Sequence, residues 1–194
     1  MKKIQNITKR VAAFTLIELL VVISIIAILA TFAIPAATGV LVKGQIMGTI
    51  NNYRQLFLFT KQADLDITGA GGSGAFPGDV GGVAAWTNAL VSNNAYCSST
   101  LFNQMASVKG SVTNTQAWTV KSSDDSTSIF IGTVGITGGT TNTLTMNASG
   151  PYGNKGGAFI TISGSAITLT GLSSPNLTNG SAGVATGSVP TALK

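Results

Sequence analysis

The chain has 194 residues, of which 44% are hydrophobic and only 9% charged, with a formal net charge of +5. Histidine is absent and Cys97 is the single cysteine, which excludes Ser-His-Asp and Cys-His catalysis, His-ligated zinc and any intrachain disulfide. Nor does the positive charge mark a nucleic-acid partner: Lys2, Lys3, Lys9 and Arg10 cluster at the start, and the other seven bases are scattered among six acids, leaving no stripe to track phosphates.

The first element follows that basic cluster. From Phe14 to Ile34 the chain is apolar for 21 residues apart from Glu18 and three hydroxyl side chains. As a helix this span is roughly 31 Å long, close to the hydrocarbon thickness of about 30 Å. Bases ahead of it predict that the N-terminal end stays cytoplasmic while the rest crosses. A secretory signal peptide would use Lys2 to Arg10 as its basic region and Leu19 to Ile34 as its apolar region. Small residues around Ala33, Ala36 and Ala37 would then supply a cleavage site. A plain single-span anchor is the other ordinary reading, and neither accounts for Glu18.

Two explanations of Glu18 stand side by side. Thr15-Leu16-Ile17-Glu18 has the form of a capping box, and an acid in the first turn of a helix is favoured by the macrodipole. Deeper in a bilayer the same carboxylate would cost about 2.5–3.5 kcal/mol, and intramembrane acids mark pairing functions.

The residues just quoted carry a resemblance. The basic leader Met1–Ala13, the run Phe14-Thr15-Leu16-Ile17-Glu18 and the apolar helix LLVVISIIAILA interrupted by Pro35 resemble a type IV pilin or type II secretion pseudopilin precursor, over roughly the first quarter of the chain. The resemblance implies that a prepilin peptidase cuts between Ala13 and Phe14 and methylates the new Phe14 amine. It also implies that Glu18 pairs with the Phe14 amine of a neighbouring subunit during assembly. The family usually has glycine before the cut, and Ala13 departs from that pattern while staying small. The order of segments sets this processing apart from ordinary secretion: the leader is removed and the apolar helix stays.

Proline at 35 removes a backbone donor and crowds the preceding turn, so a kink or local break is expected there, with the helix resuming beyond it. Val42, Ile46, Ile50, Tyr53 and Phe57 recur at spacings of three and four, the apolar face of an amphipathic helix reaching about Ala63. Gly39, Gly44 and Gly48 each lower helix propensity by about 1 kcal/mol relative to alanine. They fit either close packing through Gly44-xxx-Gly48 or a segment that melts when subunits pack.

Asp66 to Gly82 reads as a glycine-rich loop without the Gly-Lys-Ser/Thr ending of a phosphate loop. Residues 83–106 predict one or two short helices with Trp86, Leu90, Leu101, Phe102 and Met105 in the core. Strands are predicted over Ser128–Ile136, Asn142–Met146, Ala158–Ser163 and Ala166–Thr170 from β-branched content and alternation, with a hairpin turning at Gly164-Ser165. Ser173 to Lys194 reads as an irregular tail. Asp124-Asp125 reads as a solvated turn, no calcium site is evident, and the sequons at Asn147 and Asn176 carry little weight.

The sequence therefore predicts an α+β fold: a long N-terminal helix, transmembrane in its first half and amphipathic in its second, packed on a small antiparallel sheet. The organisation is a leader at 1–13, a helix at 14–63 spanning the membrane over 14–34, and a periplasmic or extracellular α+β domain at 64–194. The function implied by the resemblance is a non-enzymatic structural subunit of a pilus-like filament, with no catalytic, cofactor or metal site. Its partners would be identical or related subunits, prepilin peptidase, the inner-membrane assembly platform and membrane lipid. The implied location is the bacterial inner membrane, single-pass, with the C-terminal domain periplasmic, then the pilus or pseudopilus. The disulfide loop common in pilins cannot form, which favours a pseudopilin. The alternative is a secreted or singly anchored extracytoplasmic binding domain.

Overall fold

A computed structural model describes residues 14–92, 95–138, 144–146, 150–169 and 190–193. One long helix, α1 (Leu16–Gly69), comes first. Two short helices follow, α2 (Val83–Val91) and α3 (Ser99–Ala106). Next come strands β1 (Thr115–Trp118), β2 (Ile129–Thr133), β3 (Ile136–Gly138), β4 (Leu144–Met146), β5 (Gly157–Thr161), β6 (Ala166–Leu169) and β7 (Pro190–Ala192). The fold is α+β, as the sequence predicts. By contacts the chain divides into two units, Met1–Leu41 and Val42–Lys194.

Within the first unit α1 is apolar on every side. Its large side chains from Leu16 to Ile34 are all exposed, and this is a helix long and apolar enough to cross a membrane. Ser24 and Thr31 turn their hydroxyls back onto the Leu20 and Ala27 carbonyls, which hides their polarity from the surroundings. The helix continues without interruption across Pro35. Proline has no N–H to offer the Thr31 carbonyl, and the Thr38 hydroxyl bonds to the Pro35 carbonyl at 2.9 Å.

In the second unit the periodic face predicted for α1 meets the sheet. Ile46, Ile50, Tyr53, Leu56 and Ala63 are buried, while Val42 and Phe57 are half-buried against the same core. Ladder pairing gives a five-stranded antiparallel sheet in the order β6-β5-β2-β1-β7 and a separate two-stranded ribbon, β3-β4. Phe130 on β2 is the centre of the packing. The rings of Phe57, Phe76 and Trp86 all meet it edge-on, with centroids 6.4, 5.2 and 5.3 Å away, the arrangement that aromatic quadrupoles favour.

Several polar groups inside this core are paired, while the buried Trp118 Nε1 has no hydrogen-bond partner among the described residues. Trp86 Nε1 donates to Thr60 Oγ1 at 3.0 Å. Thr115 Oγ1 donates to the Ala106 carbonyl at 2.6 Å and lies 2.8 Å from the Tyr53 hydroxyl. A threonine has one hydroxyl proton, so Tyr53 is the donor to Thr115. Burial pushes the Tyr53 hydroxyl far above its usual range, which keeps that donor protonated. Asp64, also buried, accepts from the Ala75 N–H at 3.1 Å and from Lys61 Nζ at 3.1 Å.

Four sequence expectations need correction. The helix runs past Ala63 to Gly69, absorbing the start of the glycine-rich segment. It then ends in a Schellman arrangement: Gly71 at φ 86, with Gly72 N–H on the Ile67 carbonyl and Gly71 N–H on the Thr68 carbonyl. Leu101 is exposed, because α3 buries Phe102, Met105 and Ala106 and so turns Leu101 outward. The strand β1 was not predicted; all four of its residues are buried, so it shows no alternation. Within the expected irregular tail, Pro190–Ala192 forms β7 and pairs with β1. The expected hairpin is present: β5 and β6 pair antiparallel around Gly164, at φ 82. The sequons at Asn147 and Asn176 lie outside the described residues.

Candidate functional site: the N-terminal junction

The helix begins where the sequence placed its one apolar-segment acid. Thr15 stands just before α1 and Glu18 is its third helical residue. Glu18 Oε2 accepts from the Thr15 backbone N–H at 2.9 Å and from Thr15 Oγ1 at 2.7 Å. The Glu18 N–H in turn lies 3.3 Å from Thr15 Oγ1. This is the reciprocal capping box, which satisfies backbone donors that a helix start otherwise leaves without acceptors. The carboxylate is also placed where the helix dipole favours negative charge. Of the two explanations of Glu18, capping is therefore seen in the structure.

Capping does not use the whole carboxylate. Both Thr15 contacts fall on Oε2, and no described residue bonds to Oε1. The side chains around the acid, Phe14, Ile17, Val21 and Val22, are exposed, and together with Glu18 they line a shallow apolar groove on the helix surface. An anionic oxygen set in an uncovered apolar surface is chemically suited to hold a cation or an ammonium group. Among the described residues no cluster of three or more His, Cys, Asp or Glu could hold a metal.

The predicted processing residues divide across the boundary of the described chain. Phe14 is described and exposed, immediately ahead of the cap. Ala13, with the rest of residues 1–13, lies outside the described residues. Pro35 sits inside α1, in the same unit as Glu18. The capping box read from Thr15-Leu16-Ile17-Glu18 is present, with the Thr15 side-chain hydroxyl as a further donor to Glu18 Oε2.

Residues 8–34 match the family model described as the prokaryotic N-terminal methylation motif. This segment is the prepilin-type cleavage and methylation segment of type IV pilins and pseudopilins. The match spans residues 8–13, Phe14, the Thr15–Glu18 cap and the apolar turns up to Ile34. No curated protein and no solved structure matches the chain. The motif points to a pilin-like, structural role, and together with the apolar helix it fits a membrane-anchored pilin.

Proposed function

We propose that the chain is a structural subunit of a type IV pilus-like filament, most specifically a type II secretion pseudopilin or related pilin. The observation that carries this reading is the methylation motif at 8–34 lying across the start of a fully exposed apolar helix. Prepilin peptidase removes residues 1–13 at the Ala13–Phe14 bond and methylates Phe14. The mature helix then anchors the subunit in the inner membrane through 14–34, with residues 64–194 on the periplasmic side.

During assembly the apolar helices exchange lipid contact for contact with one another. Glu18 keeps its cap through Oε2 and offers Oε1 to the Phe14 amine of a neighbouring subunit. Such an ion pair gains strength as water is excluded from it. Pro35 gives the helix a point of flexure, since the Thr31 carbonyl has no proline N–H to hold it. The single cysteine leaves no disulfide loop, and this favours a pseudopilin over a surface pilin. No catalysis is assigned to the chain.

Mass analysis of the mature N-terminus tests the reading. An N-methylated Phe14 is expected. An N-terminus near Ala37 or Thr38 would make the protein a secreted domain, and an intact Met1 would make it a simple anchor.

A further inference from the structure

The charges of the second unit are sorted toward its two ends. Its five acids, Asp64, Asp66, Asp79, Asp124 and Asp125, gather where α1 finishes. Asp64 lies nineteen residues beyond Gln45, roughly 29 Å of helix, and holds the Ala75 N–H. Neighbouring Gly74 is packed so tightly that a Cβ there would collide with Asp79, and Asp79 accepts from the Ser122 N–H at 2.8 Å. Asp124 and Asp125 follow in the same connection, each 2.8 Å from a backbone N–H, of Lys121 and of Thr127.

The opposite end, where the chain enters the unit at Val42, is organised by Tyr152. Its hydroxyl lies 2.6 Å from Thr49 Oγ1 and donates to the Gln45 carbonyl at 3.3 Å. Lys109 Nζ stands over the Tyr152 ring, 5.2 Å from the centroid. The Lys155 N–H bonds to the Tyr152 carbonyl at 3.1 Å. Gly156, the next residue, packs on α1 so closely that a Cβ there would sit 3.1 Å from Ile46 Cδ1. Lys43 precedes Ile46 by three residues and so shares that flank of the helix. Lys43, Lys109 and Lys155 are all exposed. Among the described residues none of the three is in an ion pair, whereas Lys61 is paired with Asp64. Residues 139–143, 147–149 and 170–189 contain no acid, so they bring no carboxylate side chain to this end.

The backbone at Lys109 is unusual as well. Its φ is 49, and Gly110 follows at 79. A two-residue turn with both φ values positive favours asparagine and glycine, yet the first place is held by a base.

Lys43 also marks a level. From Leu19 to Val42 α1 carries no charge, roughly 36 Å of helix against a hydrocarbon thickness of about 30 Å. The first charge beyond that span is Lys43, where an apolar helix gives way to headgroups and a lysine stem extends toward them. Thr49, the farther of the two α1 residues bound by Tyr152, is roughly 9 Å further along the helix. That is within the Debye length of about 10 Å at 0.1 M salt.

We propose that Lys43, Lys109 and Lys155 form a collar that docks the second unit on anionic phospholipid headgroups of the bilayer its own helix crosses. The proposal rests on the membrane-anchor part of the reading above and does not require filament assembly. The same surface repels the acids at the far end, so the sorted charges orient the unit on the lipid.

The full-length chain in lipid nanodiscs tests it. A fluorophore is attached at Asn154→Cys, an exposed position beside Lys155, while the buried Cys97 stays unlabelled. Quenching by nitroxide-labelled headgroups is compared between discs of phosphatidylcholine alone and discs that also contain phosphatidylglycerol. Each base at an anionic surface contributes about fivefold, so three together shift the docked-to-free ratio by roughly a hundredfold. Stronger quenching is expected in the anionic discs, lost near 1 M salt, where the Debye length falls to about 3 Å. Lys43→Gln with Lys109→Asn and Lys155→Gln is expected to return quenching to the neutral-disc value with an unchanged circular-dichroism melt. Arg54→Gln with Lys121→Gln removes charge elsewhere and is expected to leave quenching as it was. Equal quenching in both discs, quenching that survives the triple variant, or an equal loss in the Arg54–Lys121 variant would each overturn the proposal. Co-elution of chain and lipid is read on the same samples. A chain that does not enter the discs overturns the anchor and the collar together, and one that enters without the anionic enhancement overturns the collar alone.

Discussion

Thr115 joins three parts of the core, and removing its hydroxyl gives an outcome that depends on who donates to whom. In Thr115→Val the Ala106 carbonyl loses its donor and the Tyr53 hydroxyl its acceptor, both at buried positions. Each buried group left unpaired costs about 1–3 kcal/mol, so with each penalty taken at about 1.5 kcal/mol the substitution is expected to destabilise by roughly 3 kcal/mol. In a unit of this size that lowers Tm by about 6–12 °C. Tyr53→Phe is milder, about 1 kcal/mol, because Thr115 still donates to Ala106 and no buried group is left waiting. The double variant is the informative one. Once Tyr53 has no hydroxyl, Thr115→Val orphans only the Ala106 carbonyl, so the double variant should be no less stable than Thr115→Val alone. Thermal unfolding of the full-length protein in one detergent, followed by near-ultraviolet circular dichroism, measures all four corners of the cycle. Strict additivity of the two single effects, or a Tyr53→Phe cost as large as that of Thr115→Val, would refute the assigned donor direction.

Three further outcomes bear on processing, assembly and the thiol. Glu18→Gln retains an acceptor for the Thr15 cap and leaves the cut site unchanged, so cleavage measured by mass should be normal while the sheared filament fraction falls; undiminished filament yield would reduce Glu18 to a cap. Ala13→Leu places a bulky side chain beside the scissile bond, and uncleaved precursor should accumulate on gels, whereas wild-type amounts of mature protein would show that size at Ala13 does not matter. Cys97 is buried and burial raises its thiol pKa, so maleimide labelling at neutral pH should be slow in the native protein and complete in denaturant. Rapid native labelling would contradict the buried position.

What could be read from the sequence was local. The spacing of Ile46, Ile50 and Tyr53 gave the buried face of α1 because helical period alone decides which side chains share a face. The Thr15–Glu18 cap follows from a three-residue spacing, and the β5–β6 hairpin from alternation around Gly164-Ser165. What could not be read depends on partners distant in sequence. The strand β1 has no alternation because both of its faces are covered. Nothing in Pro190-Thr191-Ala192 favours a strand; only the register with Gln116, Ala117 and Trp118 makes it one. Phe57 was expected on the buried face; it is half-buried with its ring edge-on to Phe130, while Leu56 is the more deeply buried. The cap and the apolar run of the first helical turns were legible for a different reason, since both are contiguous patterns, while the cut at Ala13 is an expectation from resemblance alone.

The pairing of β7 with β1 has a consequence in time. Gln116 lies opposite Ala192, so the ribosome must make the whole intervening chain before that side of the sheet can close. Until then β1 offers an unguarded row of backbone groups, during the interval when a nascent chain is most open to wrong association. Pairings this distant in sequence also form slowly. Docking of residues 190–192, followed by burial of Leu193, is thus the latch that separates an immature domain from a finished one. A truncated copy stopping short of residues 190–193 would leave the β1 edge unsealed.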